Sequence, residues 1–139
     1  MQQRIQIPRN CIELAGVLFI PENFDETKQY PAIVVVHPGG GVKEQTAGLY
    51  ADKLAEAGFV AVAYDASHQG ESGGGYLESP SARVADISYV IDYLNNLPYV
   101  DNNRIGALGI CAGGGYVDNA AQTDKRIKAV ANVSGIDIG

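Results

Sequence analysis

Arg104-Ile-Gly-Ala-Leu-Gly-Ile-Cys-Ala-Gly-Gly-Gly-Tyr116 is the segment on which the fold turns. Ile105 to Ile110 is a short, unbroken, largely apolar run, the pattern of a strand covered on both faces. Ala112 to Gln122 reads as a small-residue helix. Where the two meet stands Gly109-x-Cys111-x-Gly113, with a nucleophilic side chain at the centre. Glycines two positions to either side suit a strained turn in which the helix must pass close to the strand; this is the nucleophile-elbow pattern, with sulfur in place of the hydroxyl oxygen. At the first turn of a helix, unpaired backbone N–H groups and the positive end of the macrodipole favour a thiolate, the reactive form. Cysteine in general behaves as a small buried hydrophobe, and that is the reading for Cys11, which lies inside a hairpin strand without such a setting.

The neighbouring segments repeat the same alternation. Ala32-Ile-Val-Val-Val36 is a second buried strand, ending abruptly in His37-Pro38-Gly39-Gly40-Gly41. Ala47, Tyr50, Ala51, Leu54 and Ala57 recur at helical spacing, and Gly58 stands where a left-handed cap would end the helix. Phe59 to Tyr64 is another strand, stopped by Asp65 and the glycine-rich segment from Ser67 to Gly75. Ser79-Pro80 supplies an N-cap and a proline at the first helical position. Val84, Ile87, Ser88, Ile91 and Leu94 form that helix's inward stripe until Pro98, and Asp101-Asn102-Asn103 is the next turn. A last strand, Ile127 to Val133, is entered through the charged turn Asp124-Lys125-Arg126. Upstream, Ile5 to Ile7 and Ile12 to Ile20 flank Pro8, Arg9 and Asn10 and predict an antiparallel hairpin.

The sum is a hairpin followed by βαβαβαβ, within one domain spanning residues 1–139. Such alternation implies right-handed crossovers and a mostly parallel sheet with helices on both faces. Ligands of such sheets bind at the carboxyl ends of the strands. The glycine clusters after Val36, Asp65 and Ile110 all fall there, which points to one site.

Composition narrows the chemistry. Hydrophobic residues make up 46% of the 139 and charged residues 19%, a globular profile. With 10 basic against 16 acidic residues the formal charge is −6, so there is no electrostatic footprint for nucleic acid or an anionic membrane. The longest apolar runs are far too short to cross a bilayer. The polar opening, Met1 to Arg4, shows no signal-peptide core, so a cytoplasmic setting with reduced thiols is expected. Nothing in the sequence calls for a metal or a cofactor, and a small-molecule substrate is the expected partner.

A thiolate that attacks a carbonyl needs donors for the oxyanion that forms. The backbone N–H of Ala112 is one candidate, and the loop after the first central strand should supply a second, from Gly39 or Gly40. The same glycines would also suit a plain tight turn. His37 precedes them and reads as holding their loop by a hydrogen bond rather than as the general base. His68 reads as a solvated loop residue or as part of the pocket mouth. Asp65 reads as a hydrogen-bond partner of local backbone, with the triad acid a lesser alternative. The glycines around 109–115 do not fit a dinucleotide fingerprint, because Asp118 stands where its last glycine would be, and no Lys-Ser or Lys-Thr follows to make a P-loop.

On these residues the chain resembles the α/β-hydrolase superfamily, and within it the dienelactone-hydrolase-like group. The resemblance runs from Gly16 to the end and is carried by His37-Pro-Gly-Gly-Gly41, Ala63-Tyr-Asp-Ala-Ser67 with Gly70-Glu-Ser-Gly73, Leu97-Pro-Tyr-Val-Asp101 and Gly109-Ile-Cys-Ala-Gly-Gly-Gly-Tyr116. Fungal polyketide transferases are similar at the same motifs. The resemblance implies that Cys111 attacks an ester, lactone or thioester carbonyl, either as a hydrolase or as an acyltransferase of the polyketide-transferase type. A catalytically inactive binding or interaction module of the same architecture is the other expectation.

In the family a triad acid and a histidine follow further strands, whereas this chain reaches Gly139 just beyond the strand 127–133. The resemblance therefore implies the N-terminal part of such a domain, truncated after the sixth strand and nearly inactive alone. It also implies that Ile127 to Val133 lies at a sheet edge. An apolar edge invites pairing, so self-association or a complementing C-terminal fragment is expected there.

Overall fold

The computed structural model describes residues 2–9, 12–22, 24–25, 27–37, 47–65, 80–110 and 112–133. Its strands are β1 (Gln2–Arg9), β2 (Ile12–Phe19), β3 (Tyr30–Val36), β4 (Val60–Tyr64), β5 (Val100–Ile110) and β6 (Ala129–Val133). Its helices are α1 (Gly48–Glu56), α2 (Pro80–Asn95) and α3 (Ala112–Thr123). The strands form one sheet in the order β1-β2-β4-β3-β5-β6.

β1 and β2 are the antiparallel hairpin, paired from Gln2 opposite Phe19 to Arg9 opposite Ile12. β2 meets β4 antiparallel. The pairs β3–β4, β3–β5 and β5–β6 are all parallel, as crossovers through helices require.

The apolar residues of the central strands alternate between two cores. On one face Val34, Val36, Val60, Val62, Ile105 and Ala107 pack with Ile87, Val90, Ile91 and Leu94 of α2 and Val117 and Ala120 of α3. On the other face Val35, Ala61, Ala63, Leu108 and Ile110 pack with Ala47 and with Ala51 and Ala55 of α1. Small alanines let α1 lie close to the sheet. That helix ends at Gly58, whose φ of +101° is the left-handed conformation that favours glycine.

Some boundaries differ from the sequence reading. β5 starts at Val100, five residues before the apolar run, because Val100 pairs with Tyr30 before the register breaks and resumes at Ala32 opposite Ile105. The expected Asp101 turn sits inside that irregularity, where Asp101 Oδ1 accepts the Asn103 N–H at 3.0 Å. β6 starts at Ala129 rather than Ile127; Ile127 is buried, and the Lys128 N–H already bonds the Ile105 carbonyl at 2.8 Å.

At the amino ends of the parallel strands, Phe24 stacks on Tyr30 with centroids 5.5 Å apart and meets Tyr99 edge-on at 4.8 Å. The Tyr30 N–H bonds the Tyr99 carbonyl at 2.8 Å, and the Tyr30 hydroxyl accepts the Asp25 N–H.

Candidate active site

The register brings the carboxyl ends of β3, β4 and β5 level. Val35 stands opposite Ala63, and Val36 opposite Gly109. One step further along lie His37 and Asp65, both fully buried, and Ile110. α3 starts at Ala112, so its first N–H groups, which have no intrahelical acceptor, lie at this same edge. Cys111 is the one residue between β5 and α3. Cys111, Gly39, Gly40 and His68 lie outside the described residues, as does Cys11, so their roles rest on the sequence.

The approach of α3 to β3 is described, and it is close. A Cβ built on Gly113 would lie 2.5 Å from the Val36 carbonyl oxygen and 2.8 Å from that of His37. Both obstacles are backbone, so no side-chain rotation could clear them. Gly109, on β5, lies between Val36 of β3 and Asn132 of β6.

Beneath this edge is a group of buried charges that sequence reasoning missed. Arg83 and Asp86 of α2 are almost wholly buried. Arg83 Nη2 donates a hydrogen bond to the carbonyl oxygen of His37, and its guanidinium lies over the ring of Tyr116 on α3, 4.6 Å from the centroid. The Asp86 carboxylate accepts from Arg9 Nε of β1, whose guanidinium also lies over Tyr89 at 5.3 Å. Tyr64, at the end of β4, is buried near both charges. Burial pushes its phenol well above the ordinary value, Asp86 adds to the rise and Arg83 opposes it. The phenol therefore stays neutral at any physiological pH.

A signal for these residues existed. Positions 83, 86, 87, 90, 91 and 94 continue one helical stripe, although the sequence reading of that helix's inward face did not include Arg83 or Asp86. Asp65 has its N–H bonded to the Ala15 carbonyl at 2.8 Å, which ties the end of β4 to the hairpin. Among the described residues no helix is long and apolar enough to cross a membrane, and no three His, Cys, Asp or Glu side chains are grouped to hold a metal ion.

The geometry has close counterparts. YcjY of Escherichia coli (strain K12) is 65% identical over 130 residues, which cover 92% of this chain and 42% of that protein. The crystal structure of PA2218 from Pseudomonas aeruginosa superposes with a TM-score of 0.94 at 41% identity, covering 99% of this chain and 44% of that one. A thiohydrolase of Eupenicillium brefeldianum is 29% identical over 144 residues, 98% of this chain and 47% of its own. The chain thus spans less than half the length of each of these relatives, and its fold is that of the α/β-hydrolases. Residues 14–137 match the model of the dienelactone hydrolase family, and the chain belongs to that family.

Proposed function

We propose that this chain carries the nucleophile half of a hydrolase that cleaves a carboxylic ester, lactone or thioester through an acyl-cysteine at Cys111. The observation that supports it most is the contact of Gly113 with the carbonyl oxygens of Val36 and His37. It sets the N-terminus of α3 against the end of β3, where a thiolate and an oxyanion would both meet helix N–H groups. Membership of a hydrolase family, and a thiohydrolase among the relatives, agree with that chemistry.

In the proposed reaction the Cys111 sulfur attacks the acyl carbon and a C–S bond forms. The carbonyl electron pair moves onto oxygen, held by the Ala112 N–H and one from Gly39 or Gly40. Collapse restores the carbonyl and expels the alcohol or thiol, which takes up a proton. Water then attacks the thioester, the hydroxyl stays on the acyl carbon, and the sulfur leaves and regains a proton. An acyltransferase would differ only in using another alcohol or thiol in place of water.

Alkylation by iodoacetamide, followed residue by residue by mass spectrometry between pH 5 and 9, tests the nucleophile. Cys111 should react at least tenfold faster than Cys11 at pH 7, with a midpoint below the roughly 8.5 of an ordinary thiol. Slow labelling of both at equal rates would refute the proposal and favour an inert module of the same fold.

A further inference from the structure

Arg83 is a large cation on the buried face of a helix, a costly placement unless its contacts do something there. Its contacts are specific. One nitrogen donates to the His37 carbonyl, the backbone oxygen just after β3 and before Pro38. Its guanidinium carbon lies over the ring of Tyr116, one turn along α3 from Gly113. Gly113 in turn abuts the same His37 carbonyl. Arg83, His37, Gly113 and Tyr116 thus form a closed ring of contacts joining α2, the end of β3 and the first turns of α3.

We infer that Arg83 is a positioning residue for acyl transfer. It fixes the peptide plane of His37, and with it the distance between the segment leaving β3 and the N-terminus of α3 from which the two oxyanion donors are drawn. Proline at 38 has no N–H of its own, so the orientation of the His37 carbonyl is set from outside, and Arg83 sets it. The extended guanidinium matters as much as the charge, because one nitrogen must donate while its central carbon lies over a ring. This inference rests on the acyl-cysteine reading proposed above.

The experiment compares two reactions of the same thiol in the full chain. Iodoacetamide alkylation needs a thiolate and no oxyanion hole. Acetylation by 4-nitrophenyl acetate needs both: the sulfur attacks the acetyl carbon, 4-nitrophenolate leaves, and the intact mass rises by one acetyl group on Cys111. In Arg83→Met, acetylation should fall about 10- to 100-fold while alkylation of Cys111 keeps its rate and pH midpoint. Arg83→Lys, which keeps a donor and the charge but not the guanidinium that reaches both partners, should recover part of that loss. An unchanged ratio of acetylation to alkylation overturns the inference, as does a parallel fall in both rates, which would make Arg83 merely structural. Should the methionine variant not fold, the ratio in Arg83→Lys decides by the same criterion, a fall of about fivefold or more supporting it. If unmodified protein is not acetylated at Cys111 at all, the acyl-cysteine reading fails instead.

Discussion

Gly113 and Val36 stand so close that a methyl group on the first would lie 2.5 Å from the carbonyl oxygen of the second. Neither backbone can yield without moving α3 off the sheet. Gly113→Ala should therefore destabilise the protein by about 1–3 kcal/mol, read from the midpoint of urea denaturation. It should also slow Cys111 alkylation toward the rate of Cys11. A variant with wild-type stability and wild-type labelling would show that this contact does not shape the site.

Asp86 is fully buried against Arg9, whose side chain is 17% exposed. Removing the carboxylate strands a largely buried guanidinium, a change that costs about 3–5 kcal/mol in comparable pairs. Asp86→Ala should approach that loss in urea denaturation. Arg9→Ala should also destabilise the protein, since it takes a cation away from a carboxylate with no exposure at all. The double variant should lose less than the sum of the two. Additive losses would show that the pair is not coupled.

Asp124 ties the turn before β6 to α2. Its carboxylate accepts from Arg126 Nε at 2.9 Å and Nη2 at 2.8 Å, and from Ser88 Oγ at 3.1 Å. The Arg126 hydrogen bonds hold its carboxyl below the ordinary aspartate value against the opposing effect of burial. The folded state thus binds this proton less tightly than the unfolded chain. The resulting stability is fully present above the unfolded pKa, about 3.9, and is lost as pH falls through the lower folded value. Asp124→Asn should cost about 1 kcal/mol at pH 7 and flatten the urea midpoint below pH 4. An equal loss at pH 2.5 and pH 7 would contradict this assignment.

β6 is paired with β5 and, among the described residues, has no strand on its other side. Ala129 to Asn132 are exposed, Val130 at 39%. The chain is expected to self-associate through this edge, and Val130→Lys should shift sedimentation toward the monomer. A wild-type chain that sediments as a clean monomer would refute it.

Much of this architecture was legible in the sequence because each signal was local. The β-branched run at 32–36 became β3, the helical spacing from Ala47 to Ala57 became α1, and Gly58 took the positive φ assigned to it. Gly113 was legible for the same reason, as part of a five-residue turn. Arg83 and Asp86 were not. Their partners His37 and Arg9 lie 46 and 77 positions away, and a charged residue on a helix gives no local sign that it faces inward. Phe24 was hidden too, because its partner Tyr99 comes from another connection.

The aromatic group of Phe24, Tyr30 and Tyr99 closes the opposite end of the sheet from Gly113 and His37. β3 spans the distance between them in seven residues, roughly 20 Å, and substitutions separated by more than about 10 Å without shared partners act independently. Repacking those rings is thus a way to raise or lower stability without altering the chemistry. Evolution and engineering can work on the floor of this molecule while its ceiling stays as it is.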